Sequence, residues 1–303
     1  MHLGTDTVHY AWDRALPPVL ELDGPTGTVE LDLLDSSAGQ FDATSTAGSL
    51  GALDFSRVNP VTGPILVPGA EPGDALLVRV RELETAHWGW SANIPGFGLL
   101  AEDFPEAAFV HCRIGEKGVE LDFGPVLPAL PMIGTLGLAL PEPGAHPLLP
   151  PSRFGGNMDI RQLGAGASVL LPVGVPGGLL SLGDAHAAMG DGEICGTGVE
   201  TAARTVLEIE LVKHHPISAP ILETAPAARR TGAALVTTGI GPDLLTAARD
   251  AARSLIDETV RRTGLSPVHA YVLASLTADL IVSEIVDLPN YVVSLHLPAD
   301  LLS

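Results

Sequence analysis

Basic residues are scarce in this chain. Sixteen Lys and Arg stand against 36 Asp and Glu, a formal net charge of −20, and Lys117 and Lys213 are the only lysines. A field of that sign repels phosphate backbones and anionic lipid, which excludes nucleic acid and membrane surfaces as partners. It leaves small neutral molecules untouched and favours cations. Cysteine is equally sparse, with Cys112 and Cys195 alone, too few for a disulfide scaffold and read as free buried thiols of a cytoplasmic protein. Long apolar runs are missing too. Pro and Gly interrupt every stretch that approaches the ~20 residues a membrane helix needs. The first 18 residues, MHLGTDTVHYAWDRALPP, have no apolar centre that could serve as a signal peptide. Aromatics make up only 4% of the chain, so its core must be built from Val, Leu, Ile and Ala.

What is present fits a folded protein. With 303 residues, 46% of them hydrophobic and 17% charged, the chain can bury one large core or two ordinary ones. The 34 glycines and 26 prolines break a chain into short strands more readily than into long helices. Val29, Leu31 and Leu33 alternate with Glu30 and Asp32, the period of a half-buried strand. The same period returns in Val78-Arg79-Val80-Arg81, and in Leu207, Ile209 and Leu211 against Glu208 and Glu210. Turn clusters such as Glu71-Pro72-Gly73-Asp74 lie between. The expected fold class is α+β, mainly β, with a sandwich- or barrel-like body over 1–213. The Pro- and Ala-rich stretch 214–230 reads as a linker to a smaller α+β lobe, 214–303, made of two helices and a hairpin. Leu244, Ala248, Ala252, Leu255 and Val260 mark the first helical face, which Gly264 is placed to stop. Ser266-Pro267 opens a second helix carrying Ala270, Leu273 and Ala274, ending near Asp279. Beyond it, LIVSEIV turns through Asp287-Leu288-Pro289-Asn290 into YVVSLHL.

The segment most informative about chemistry is GGLLSLGDAHAAMGDGEICGTGVE, residues 177–200. An apolar strand runs into Gly183-Asp184-Ala185-His186, and on an extended chain side chains two apart point the same way. Asp184 and His186 can therefore converge on one ion. Asp191 and Glu193 add carboxylates on a glycine-rich turn, as further ligands or as a general base; the plainer alternative makes them solvent-facing turn residues and His186 a hydrogen-bonded core side chain. The spacing is not that of an EF-hand, although calcium in another geometry stays open. In Gly155-Gly156-Asn157-Met158-Asp159, the glycines let backbone approach a ligand and the Asn157 amide can bond a carbonyl; a tight turn explains the same residues. Asp35 closes a strand and is either turn chemistry or a further metal ligand. Trp88 and Trp90, two of three tryptophans, either wall a small pocket or pack in a core.

Taken in order, His9-Tyr10-Ala11-Trp12-Asp13, DSSAGQ (35–40), Val58-Asn59-Pro60-Val61-Thr62-Gly63-Pro64, WGWSANIPGFGLL (88–100), PMIG (131–134), GGNMD (155–159), GDAHAAMGDGE (183–193) and SLTADLIVSEIVDLP (275–289) resemble the signatures of the acetamidase/formamidase family. The resemblance covers nearly the whole chain. It implies hydrolysis of short aliphatic amides to ammonia and a carboxylate, a β-rich fold with an α+β portion, and a homo-oligomer. Some relatives are linked with divalent metal and with lactam hydrolysis. Two departures stand out: Phe154 where many relatives have His before the glycine pair, and Glu284 where Gln is expected, outside the motifs read as catalytic.

Two other amidase designs fit poorly. A Ser–Ser–Lys site needs a buried lysine beside a Gly/Ser-rich loop, and a Cys–Glu–Lys site needs a lysine as well; acidic neighbours also deactivate the Cys195 thiol. The expected scheme is a metal-activated water acting on a small neutral amide. Asp184 and His186, with Asp35, hold a divalent ion, zinc most simply, with calcium as the alternative. Glu193 serves as general base, Asn157 polarises the carbonyl, and Trp90, Gly156 and Asp159 contact substrate. The competing expectations are a lactam hydrolase and a non-catalytic binding protein on the same scaffold.

Overall fold

The structure, a computed structural model, describes residues 1–98, 101–102, 105–122, 126–193, 195–225, 233–265, 267, 270, 274 and 278–302. The alternating patterns form strands as expected. In Thr26–Leu33, Val29, Leu31 and Leu33 are buried. In the Ala75–Thr85 and Ala203–Val212 strands, Val78, Val80, Leu207 and Ile209 point inward too. Their outward neighbours pair across the ladder: Arg79 donates to Glu208, its register partner, and Arg81 bonds the same carboxylate.

Among the described residues the strands make two sheets. One has nine strands, in the order His2–Leu3, Thr26–Leu33, Ala203–Val212, Ala75–Thr85, Ser168–Pro172, Ile221–Glu223, Ala234–Gly241, Tyr291–Pro298 and Asp279–Glu284. The other has eleven, and Leu180–His186 lies inside it between Met132–Leu138 and a broken edge shared by Val61–Leu66 and Glu200–Thr201. The sheets face each other through one apolar core, where Leu31, Val78, Val169 and Leu207 of the first meet Ile133, Leu136, Leu180 and Leu182 of the second. The body is a β-sandwich, and Leu, Val, Ile and Ala dominate its core.

Ile221–Glu223 corrects the linker reading of 214–230. It is a three-residue strand, paired on one side with Ser168–Pro172 and on the other with Ala234–Gly241, too short to betray a period. The nine-stranded sheet thus runs from the N-terminal strands to the C-terminal hairpin, whose strands Asp279–Glu284 and Tyr291–Pro298 pair antiparallel as expected. The Leu244–Thr263 helix is capped by the Asp243 side chain and stopped at left-handed Gly264. Its buried face runs through Ala247, Ala251, Leu255 and Glu258, displaced from the expected one because Ser254, Glu258 and Thr259 are buried and polar. The helix lies so close that a β-carbon on Gly239 would sit 1.8 Å from the Ala247 carbonyl oxygen. Most of the second expected helix lies outside the described residues; Ala270 and Ala274 of its expected face are buried.

Candidate active site

Leu180–His186 is buried along its whole length. Asp184 within it has φ +57, so the strand is not regularly extended where the alternation argument needed it to be. The two side chains still meet, with His186 Nε2 3.3 Å from Asp184 Oδ1. Glu200 comes from the neighbouring strand, where it is the register partner of His186, and places Oε1 3.2 Å from the same nitrogen. Glu193 Oε1 is 3.8 Å away. Asp159 Oδ1 lies 3.9 Å from the other ring nitrogen, Nδ1. All five residues are buried, with Asp159 fully so.

The backbone is bent to bring them together. Asp159, Asp184 and Glu193 all adopt left-handed φ, at +46, +57 and +44, a conformation that costs on the order of 1 kcal/mol or more for each non-glycine residue. Gly134 leaves the space: a β-carbon there would be 2.4 Å from Asp159 Oδ1 and 2.8 Å from Asp184 Oδ2. Gly198 does the same beside the imidazole, 2.9 Å from its Cγ. Strain and missing side chains both serve one cluster of acids around one histidine.

A polar network joins this cluster to a small cavity. Asn59 donates from Nδ2 to both Asn157 Oδ1 and Asp184 Oδ2, each at 3.2 Å. Thr135 donates to the same two oxygens, and Asn157 Nδ2 donates to Asp287 Oδ2 at 2.6 Å. The cavity is about 50 Å³, and Asn59, Trp90, Asn157, Asp184, Glu193, Glu200 and Asp287 supply its polar lining, with Leu53, Phe55 and Phe97 among its apolar walls. That volume holds only a few water-sized groups. Trp90 is fixed by an Nε1–H bond to Asp35 Oδ2 (2.8 Å) and by Phe41 and Phe109, 4.9 and 5.8 Å between ring centres.

No basic side chain offsets the acids: among the described residues, the ion pairs of Asp159, Asp184, Glu193 and Glu200 run to His186 alone. Burial raises the carboxyl pKa of Asp159 well above its ordinary value, and Asp184 adds to it. Burial followed by Asp159 does the same to Glu193, burial and Asp159 to Asp287, and burial to Glu200. For His186, burial lowers the pKa, but Glu200 and Asp184 outweigh it and hold the imidazolium well above its usual range. Among the described residues, both ring nitrogens, both Asp159 oxygens and Glu200 Oε2 lack an aligned hydrogen-bond partner. Buried polar atoms in that condition are costly unless something pairs with them.

A divalent cation fits this donor set. Asp184, His186 and Glu200 bring one ligand atom each to within 4.8 Å of one another, as do Asp159, His186 and Glu193. Ligands at ~2.0–2.2 Å around a tetrahedral ion stand about 3.3 Å apart, close to the 3.3 and 3.2 Å separating His186 Nε2 from Asp184 and Glu200. One histidine among carboxylates also suits the borderline and hard cations.

The sequence-based site residues divide. Asp184, His186, Glu193, Asn157 and Trp90 come together at the cavity. Asp35 stands apart from the cluster: its carboxylate accepts from Ser37 Oγ, the Gly39 amide and Trp90, so it braces a cavity wall rather than facing an ion. Asp159 joins the histidine cluster and does not line the cavity. Gly156 also stays away from the cavity, pairing with Leu136 where a β-carbon on Gly137 would strike the Gly156 amide at 2.5 Å. The glycine pair lets two strands approach, not a ligand. Asp191 turns outward to Arg161, 3.0 Å away. Phe154 packs on Gly174 beside a separate cavity. Cys112 is buried as expected, whereas Cys195 is exposed.

Sequence reasoning missed four contributors. Glu200 ends the quoted segment without any spacing to mark it, Asn59 sits in a motif with no chemical signature of its own, and Thr135 falls just past the PMIG motif. Asp287 read as a turn residue. Glu284, set outside the catalytic motifs, is fully buried beside them: its Oε1 accepts from the Val286 and Asp287 amides, Oε2 has no partner, and burial raises its pKa to about 7.

The acetamidase/formamidase family pattern matches residues 2–141 and 142–303. A protein described as a predicted acetamidase/formamidase, from the thermophile Thermoanaerobacter tengcongensis, superposes with a TM-score of 0.90 at 32% identity, over 99% of this chain and 96% of its own. A formamidase of Methylophilus methylotrophus is 27% identical over 97% of this chain and 89% of its length. A gamma lactamase from Delftia acidovorans superposes with a TM-score of 0.70 at 26% identity, over 97% of this chain and 89% of its own.

Proposed function

The chain belongs to the acetamidase/formamidase family, and from that membership we propose that it hydrolyses the C–N bond of small linear amides, formamide- and acetamide-like, to ammonia and a carboxylate. The observation that carries the reading is a buried His186 met by Asp184 and Glu200 at 3.3 and 3.2 Å, beside a cavity of about 50 Å³ that Glu193 lines. A cavity of that size suits an amide of three or four heavy atoms. With no Lys or Arg among the described residues pairing these acids, the site favours a neutral substrate over an anionic one.

Asp184, His186 and Glu200 would hold a divalent cation, zinc by preference. Such an ion supplies Lewis acidity, lowering the pKa of water from ~16 towards ~7 and polarising a carbonyl. Glu193, whose carboxyl pKa is raised by burial and by Asp159, takes the proton from the attacking water and delivers it to the departing nitrogen. Asn157 gives one amide hydrogen to Asp287; its second can bond the amide oxygen as charge develops there. Trp90, held by Asp35, walls the cavity and excludes bulk water. The cytoplasm as location and a homo-oligomeric assembly belong to the same proposal; among the described residues no helix is long and apolar enough to cross a membrane.

Ammonia release from formamide, acetamide and a lactam panel, with and without chelator, tests the reading. Turnover of the linear amides, lost on chelation and restored by zinc, is the expected result. A His186→Ala protein keeping both its metal and its turnover would overturn it. The likeness to the gamma lactamase favours a second reading, cyclic amide hydrolysis, which the panel would reveal as preference for lactams.

A further inference from the structure

The acids around His186 differ in which ring nitrogen they approach. Asp184, Glu200 and Glu193 gather at Nε2, at 3.3, 3.2 and 3.8 Å. Among the described residues Asp159 is the acid nearest Nδ1, at 3.9 Å. Asp159 is fully buried, and among the described residues neither of its oxygens nor Nδ1 has a hydrogen-bond partner. It does not line the cavity, so it has no route to substrate. The fold nevertheless goes to some length to keep it there. Its backbone is left-handed at φ +46, its amide reaches the Gly134 carbonyl, and Gly134 lacks the β-carbon that would collide with its carboxylate.

We infer that Asp159 is a positioning residue for His186, accepting the Nδ1–H so that the Nε2 lone pair points at Asp184 and Glu200. This rests on the reading that those three residues hold a divalent cation. A neutral imidazole carries its proton on one nitrogen only, and the hydrogen bond made by one nitrogen decides which. With Asp159 at Nδ1, the tautomer that can ligate from Nε2 is preferred, the ring is held in plane, and its basicity rises. At 3.9 Å the two groups stand beyond hydrogen-bond distance, so the bond forms as the imidazole and the Asp159 carboxylate turn towards each other around the held cation. Carboxylates that orient a ligating histidine in this way typically change metal affinity 10- to 100-fold when removed.

The test uses the full-length zinc-loaded protein labelled with ¹⁵N-histidine. Two-bond ¹H–¹⁵N correlations should place the proton of His186, identified by loss of its signal in His186→Ala, on Nδ1. Asp159→Ala should bind zinc 10- to 100-fold more weakly in chelator competition, while Asp159→Asn, whose amide oxygen still accepts from Nδ1–H, should lose less and keep the tautomer. The cobalt-substituted Asp159→Asn protein should keep the visible spectrum of wild type, because no ligand is lost. A proton found on Nε2, unchanged affinity in Asp159→Ala, or a cobalt spectrum showing a lower coordination number would each overturn the inference. Should Asp159→Ala fail to fold, the wild-type tautomer and the Asp159→Asn spectrum decide it. A wild-type protein that binds no divalent cation would instead defeat the reading of the site, a distinguishable failure.

Discussion

Buried acids occur at two ends of this molecule and are treated in opposite ways. On the Leu244–Thr263 helix, Glu258 is buried but receives Arg261 at 2.6 and 2.8 Å and Arg262 at 2.6 Å. Burial alone would raise its carboxyl pKa; the two guanidinium groups reverse that and hold it down at about 2. Around His186 the acids pair with no guanidinium among the described residues, and Asp159, Glu193, Glu200 and Asp287 are all displaced upward. The helix therefore gains stability from its acid, and the site loses stability to its acids. A fold keeps such a liability where an ion or a substrate removes it, which is why an uncompensated cluster beside a cavity reads as function and a compensated one as structure.

The comparison is broken most severely at its one histidine. His186→Ala should remove bound metal and cut amide turnover by ~10³-fold or more, since metal catalysis supplies several kcal/mol of transition-state stabilisation; elemental analysis together with an ammonia assay checks both. Next, Glu193→Gln should lower kcat by ~10²- to 10⁴-fold, the range for a lost general base, with metal content preserved. Loss of the metal along with the activity would make Glu193 a ligand instead.

Two substitutions sharpen the contrast in stability. The Glu284 carboxyl has its pKa raised to about 7, so its ionisation opposes folding: the penalty is absent below the ordinary carboxyl value, grows as pH rises from there to 7 and is level above it. Glu284→Gln keeps an oxygen for the Val286 and Asp287 amides. It should stabilise the protein by about 2–3 kcal/mol at pH 8 and by almost nothing at pH 4.5, as denaturant titrations at the two pH values would record. Glu258 has the opposite sign. Its stabilisation is complete above the ordinary carboxyl value and fades as pH falls towards 2. Glu258→Gln should cost about 1–2 kcal/mol at pH 7, discounted because Arg261 is half exposed, with the difference shrinking below pH 4. Should both variants move in the same direction, the distinction between the two ends of the molecule fails.

Much of this was legible locally. Strands with a clean two-residue period, the Asp243 and Gly264 helix ends and the C-terminal hairpin follow from short-range chemistry, and so they fold where the pattern places them. Asp184 and His186 were legible because they are neighbours in the chain, although left-handed Asp184 brings them together by a different backbone path from the extended one. Ile221–Glu223 escaped because three residues carry no period, and the helix face was misjudged because its buried side includes the polar Ser254, Glu258 and Thr259.

By itself the sequence determined a β-rich fold built on aliphatic side chains, a family membership spread along the whole chain, and one histidine–aspartate pair suited to a cation. Tertiary structure decided who joins that pair. Glu200 arrives through strand register, Asn59 and Thr135 through hydrogen bonds to a shared carboxylate, and Asp287 from the far end of the chain. It also set Asp35 behind Trp90 and Asp159 nearest the Nδ1 atom of the imidazole. The physical reason is that a coordination site is defined by separations of a few ångströms between side chains, while residues more than 100 positions apart, such as Asn157 and Asp287, have no local pattern that reports such a distance.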